Sequence, residues 1–198
     1  MVPLVCLAVL AVTGPCEADS RPAKLLPPVE PACISSPFGP RLLPNRPQAG
    51  TYHYGVDLPA PKGAPVLAIA PGTVIRIQDT GPGGLEMLVQ HDGFIGVYSH
   101  LGMIMPAFSR GKTEVTAGEK LAVVGDTGVT FGMHLYFEMI VAGRPVDPAP
   151  YLGVKLCDGT EPQPLPLAQK PKEDGEVIGG RRYYQLYPPA RSAYQWQR

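Results

Sequence analysis

Glycine and proline punctuate the stretch from residue 34 to 152 so closely that a helix-length apolar stripe has no room to form. Between the breaks lie short runs rich in β-branched and aromatic residues, at 66–70, 73–78, 86–91, 94–100, 120–124 and 134–141. Asp92-Gly93 falls between the third and fourth of these, the residue pair that a two-residue hairpin turn favours. The pattern predicts an all-β domain with a compact antiparallel core. The 25 Pro and 23 Gly among 198 residues fit many tight turns joined to Pro-rich connectors.

The flanks read differently. Residues 2–12 are apolar throughout and too short to cross a bilayer, which suits the apolar core of a signal peptide spanning 1–18. A Pro-rich linker at 19–33, a folded domain at 34–157 and a Pro-rich, polar tail at 158–198, expected to be disordered, complete the predicted organisation. The tail carries Arg181, Arg182, Arg191 and Arg198 among interleaved aromatics, so a sticky arm for anionic wall polymer or a partner is the alternative there. Beyond the leader only Cys33 and Cys157 remain, an even number that suits an oxidising compartment and a disulfide joining the two ends of the domain. Export to the periplasm or cell envelope follows, with no integral membrane domain in the mature chain. Acidic and basic residues balance at 17 each, which excludes the basic excess expected of a nucleic-acid binder.

The chemistry concentrates in four histidines, His53, His91, His100 and His134. In His53-Tyr-Gly-Val-Asp57 the even spacing places imidazole and carboxylate on one face of an extended segment. The same rule places His134, Tyr136 and Glu138 together on the run MHLYFEM, while His100 closes a strand at Tyr-Ser-His-Leu. Three such segments aimed into one groove could offer nitrogen and oxygen ligands to a zinc ion with a position left for water. His91 reads as a structural histidine and Glu138 as a strand carboxylate satisfied by backbone or arginine. Arg41 reads either as a substrate contact or as a structural ion pair.

Six motifs in order, SSPFGPR, HYGVDLPAPKGAPVLAIAPGTV, VQHDGFIGVYSHL, VTAGEKLAVVGDTG, MHLYFE and GRPVDPAPYL, make the chain resemble the lysostaphin/LytM-type peptidoglycan endopeptidases over roughly residues 35–152. The resemblance implies an antiparallel, duplicated-hybrid-motif-like β fold whose groove takes peptidoglycan peptide stems or cross-bridges. It implies zinc as cofactor, with His53 and Asp57 as metal ligands and His100 and His134 as catalytic histidines. The family's third ligand is the second histidine of a His-x-His motif, and Tyr136 stands there. Ligation as a phenolate, withdrawal from the metal, and a hydrogen bond to a substrate carbonyl are all open to that side chain. In such a site the ion lowers the pKa of its water to about 7 and polarises the scissile carbonyl.

Two functions follow from this reading: a zinc metalloendopeptidase that cuts peptide crosslinks, or a degenerate domain of the same fold that binds peptidoglycan or regulates another wall hydrolase. A lipoyl- or biotin-carrier domain uses similar strand phrases, but needs a modifiable lysine at a hairpin tip, usually beside methionine, and no Met-Lys pair occurs here.

Overall fold

The structure, a computed structural model, describes residues 25–41, 43, 49–162, 177–178 and 181–182. The leader at 1–18, the first part of the linker at 19–24 and most of the tail, at 163–176, 179–180 and 183–198, lie outside the described residues.

In chain order the strands are β1 (Gly39–Pro40), β2 (Tyr52–His53), β3 (Val56–Pro59), β4 (Pro65–Leu67), β5 (Gly72–Asp79), β6 (Leu85–His91), β7 (Phe94–Ser99) and β8 (Leu101–Ile104). A single-turn helix α1 (Pro106–Ser109) follows, then β9 (Glu114–Val115), β10 (Lys120–Val124), β11 (His134–Val141), β12 (Arg144–Val146) and a second short helix α2 (Ala149–Leu152). Farther on, β13 (Val177–Ile178) and β14 (Arg181–Arg182) pair with each other. The all-β expectation holds, and the longer strands fall on the runs singled out in the sequence.

A seven-stranded antiparallel sheet has the order β12-β11-β7-β6-β5-β9, with β3 pairing with the first half of β11. A second sheet, β4-β10-β8, supplies the opposing layer. Alternation along β11 decides which face is which. Leu135, Phe137 and Met139 are buried in a core shared with Val66, Leu101 and Leu121 of the second sheet. His134, Tyr136 and Glu138 face the other way, onto the outer surface of the large sheet. Burying large apolar side chains such as Phe137, Tyr98 and Leu121 is worth roughly 1.5–3 kcal/mol each. That burial fixes the register, because a one-residue slip of β11 would bury its polar triad and expose its apolar one.

The packed chain begins earlier than the Pro-rich stretch suggests. Val29 is fully buried in the main core, and its segment is pinned by Leu26 N to Ile69 O and Leu67 N to Pro28 O, both close to 2.9 Å. Prolines forbid a ladder of donors but leave carbonyls that accept, so one valine among them can still be seated. At the far end Cys33 and Cys157 are joined, with Cα atoms 4.8 Å apart, beside a parallel bridge between Ile34 and Leu156. No helix among the described residues is long and apolar enough to cross a membrane.

Candidate active site

The outer face of β11 forms the floor of a groove with a cavity of about 460 Å³. His53, Asp57, His100, His134, Tyr136, Glu138, Glu86 and Arg41 all line it; His91 does not. Each of the first four arrives by a different local device. His53 ends β2, 3% exposed, and Asp57 lies four residues on in β3, which runs antiparallel beside β11 with Asp57 opposite Tyr136. His134 opens β11. His100 sits between β7 and β8 with φ 62°, a left-handed conformation uncommon for a residue with a Cβ. That backbone is held by His100 N to Gly83 O and Gly125 N to His100 O, both 2.9 Å. Strain of this kind collects where a side chain must be aimed.

The imidazoles share one hydrogen-bonding arrangement. His53 Nδ1 lies 3.0 Å from the Pro37 carbonyl, His100 Nδ1 2.9 Å from that of Thr127, and His134 Nδ1 2.9 Å from that of Gly132. A carbonyl only accepts, so each Nδ1 carries the proton and each Nε2 is the nitrogen left to do chemistry. His53 Nε2 is 3.1 Å and His134 Nε2 3.3 Å from the same Asp57 oxygen, Oδ1. Such a meeting of acceptor atoms is favourable only with a proton or a cation between them.

The electrostatics separate the two outer histidines. Burial pushes the His100 pKa down, and the neighbouring His134 charge lowers it further. Burial also works against a charge on His134, but the hydrogen bond and charge of Asp57 outweigh it and raise its pKa. Burial likewise opposes ionisation of Asp57, yet hydrogen bonds from His134 and His53 hold its carboxyl well below the usual carboxylate range. Near neutrality the groove therefore offers a neutral imidazole beside a more readily protonated one, their ring centroids 4.9 Å apart.

The remaining groups were only partly legible in the sequence. Tyr136 donates its phenol proton to Glu138 Oε2 at 3.0 Å, so a tyrosine on its own strand face helps satisfy that carboxylate. Arg41 bonds Ser36 Oγ at 3.2 Å and the Ala49 carbonyl at 2.7 Å, and its NH1 stands 3.8 Å from Asp57 Oδ2. Glu86, buried in the floor, takes bonds from Gln78 at 2.7 Å and Ser99 at 2.9 Å. Nothing in its own strand pattern marks Glu86 as part of a groove. His91 is buried elsewhere against the Pro71 carbonyl and Tyr98.

The donor set can be tested for zinc. His53 and Asp57 have the right chemistry, including the carbonyl-anchored Nδ1 that metal-bound histidines usually show. Among the described residues, however, no group of three His, Cys, Asp or Glu side chains could hold a metal ion. The third position falls to Tyr136, whose proton is committed to Glu138. The residues present therefore do not complete a three-ligand zinc centre.

Residues 51–148 match the model of peptidase family M23. A DD-carboxypeptidase/endopeptidase, Mpg, of Neisseria meningitidis serogroup B is 38% identical over 116 residues, 58% of this chain and 26% of that protein. The chain thus spans about a quarter of that relative's length. Among solved structures, LytU is 31% identical with a TM-score of 0.54, over 65% of this chain and 88% of that one. The catalytic domain of the antimicrobial peptidase lysostaphin from Staphylococcus simulans is 28% identical with a TM-score of 0.54, over 62% of this chain and 92% of that one. This chain belongs to peptidase family M23.

Proposed function

We propose that this domain is an endopeptidase acting on the peptide crosslinks of peptidoglycan, working outside the cytoplasmic membrane on the stems of the wall polymer. The observation that carries the reading is the convergence of three carbonyl-anchored imidazoles and Asp57 in one groove of the large sheet. His100, kept neutral by burial, is the base that removes a proton from the attacking water. His134, its pKa raised through Asp57, supplies a proton to the oxygen or amine on which charge develops. His53 and Asp57 are the donors to which zinc would bind. Affinity there is weaker than in a complete three-ligand site, because the phenol of Tyr136 is committed to Glu138.

The Tyr136–Glu138 bond favours a second reading, in which the groove holds wall peptide without cutting it and regulates another hydrolase. One experiment separates the two. Zinc content and muropeptide release from sacculi are measured for the native protein, His100→Ala and Tyr136→His, with and without chelator. Release by the native protein that is lost in His100→Ala supports the endopeptidase. A native protein that releases nothing, beside a Tyr136→His variant that binds stoichiometric zinc and cuts, leaves the second reading.

A further inference from the structure

Tyr136 and Glu138 line the groove beside the His53–Asp57–His134 cluster and His100, and no catalytic step assigned above draws on them. The tyrosine ring has a built seat. A Cβ placed on Gly55 would lie 2.9 Å from Tyr136 Cζ and 2.3 Å from the Phe137 carbonyl oxygen, so the chain beside the ring has no room for a side chain. The ring stands 5.3 Å from that of His53 and 6.2 Å from that of His100, next to the groups that do the chemistry. Its proton goes to Glu138 Oε2 at 3.0 Å. A phenol has one proton and two acceptor lone pairs, so what this oxygen presents to a ligand is acceptor capacity. It is matched by an N–H and mismatched by a carbonyl.

The walls show what flanks such an N–H. Val129, Phe131, Met133 and Leu43 also line the cavity and are 37–43% exposed, so an apolar rim accompanies the polar groups of β11. We infer that Tyr136, oriented by Glu138, is a substrate-positioning residue: its phenol oxygen accepts a hydrogen bond from a backbone amide N–H of a bound wall peptide whose short aliphatic side chains rest on that rim. The inference rests on the peptidoglycan reading above, and holds whether or not the peptide is cut. It also makes the phenol a contact to peptide where the family pattern expects a ligand to metal.

The test is binding, read by calorimetry with chelator present so that cleavage does not intervene. The probes are crosslinked muropeptide dimers released from sacculi by a muramidase, and synthetic stem peptides in which one amide at a time is replaced by an ester. Tyr136→Phe keeps the ring in its seat and is expected to weaken dimer binding about tenfold, since a buried N–H then loses its partner. One ester peptide is expected to lose a similar factor against the native protein and nothing further against Tyr136→Phe. Equal dimer affinity in native and Tyr136→Phe proteins, or an ester penalty of the same size in both, overturns the inference and leaves the endopeptidase reading standing. A folded native protein that binds none of the dimers overturns both.

Discussion

Removing the covalent tie between Cys33 and Cys157 should cost this domain as much as its largest core truncations. The two cysteines are 124 residues apart in sequence, so the bond closes a loop that takes in nearly the whole described domain. In the chain-entropy account a loop of that length is worth about 5 kcal/mol at 25 °C. For a domain of this size that translates into a fall in Tm of roughly 15–20 °C. The loss reaches the groove. Cys157 N bonds Ile34 O, Ser35 N bonds Asp57 O and Asp57 N bonds Ser36 O, so the tied segment runs directly along the strand that carries the aspartate. Immediately after Ser36, the Pro37 carbonyl fixes the tautomer of His53. Cys33→Ser/Cys157→Ser is therefore expected to melt far below the native protein in non-reducing buffer. It should also lose affinity for muropeptides before it melts. Thermal unfolding followed by circular dichroism, with a thiol titration of the native protein after removal of residues 1–18, checks this. A double variant that melts within about 2 °C of the native protein would refute the reasoning, because the loop term would then be absent.

Three further expectations follow from the same contacts. Gly55→Ala forces a Cβ against the Phe137 carbonyl at 2.3 Å, an overpacking that should destabilise by about 1–3 kcal/mol and displace Tyr136, seen as a lower denaturation midpoint with unchanged slope. Tyr98→Phe removes the hydroxyl that accepts from Ile69 N at 3.2 Å in the core, and should cost about 1–3 kcal/mol in the same assay. His91 has its pKa lowered, chiefly by burial, against carbonyl bonds from Pro71 and Ala70 that raise it. The unfolded chain then binds a proton on His91 that the folded one refuses, so this residue's effect is nil above about pH 6.5 and stability falls as the pH drops below it. The slope from one such group is at most about 1.4 kcal/mol per pH unit, and His91→Asn should flatten the stability profile between pH 7 and the folded pKa relative to native; identical profiles would count against it.

The sequence by itself determined the strands and much of the groove's membership. Period-two alternation is a local property, so the run 134–141 could be read as one apolar face and one polar face without knowing what lay on either side. The glycine and proline breaks excluded a helical fold, but the even spacing of His53 and Asp57 did not act as one strand face, because the chain bends at 54–55 and sets them on separate strands, β2 and β3. Tertiary structure decided what local pattern does not encode. Val29 enters the core from a stretch of prolines because the second sheet presents the N–H of Leu67 to Pro28. His100 takes a left-handed backbone because Gly83 and Gly125, distant in sequence, hold its amide and carbonyl. The tautomers of His53 and His100 are set by carbonyls on distant loops, at Pro37 and Thr127, whereas that of His134 is set locally by the Gly132 carbonyl two residues before it. Glu86 joins the groove floor only because β6 lies two strands from β11 in the sheet. The partner of Tyr136 was two residues away, yet which of its possible bonds it makes depended on the ring's seat against Gly55. Faces follow from spacing along one strand; tautomers, strained backbones and hydrogen-bond partners follow from which strands and loops meet, and that is fixed only when the whole sheet closes over its core.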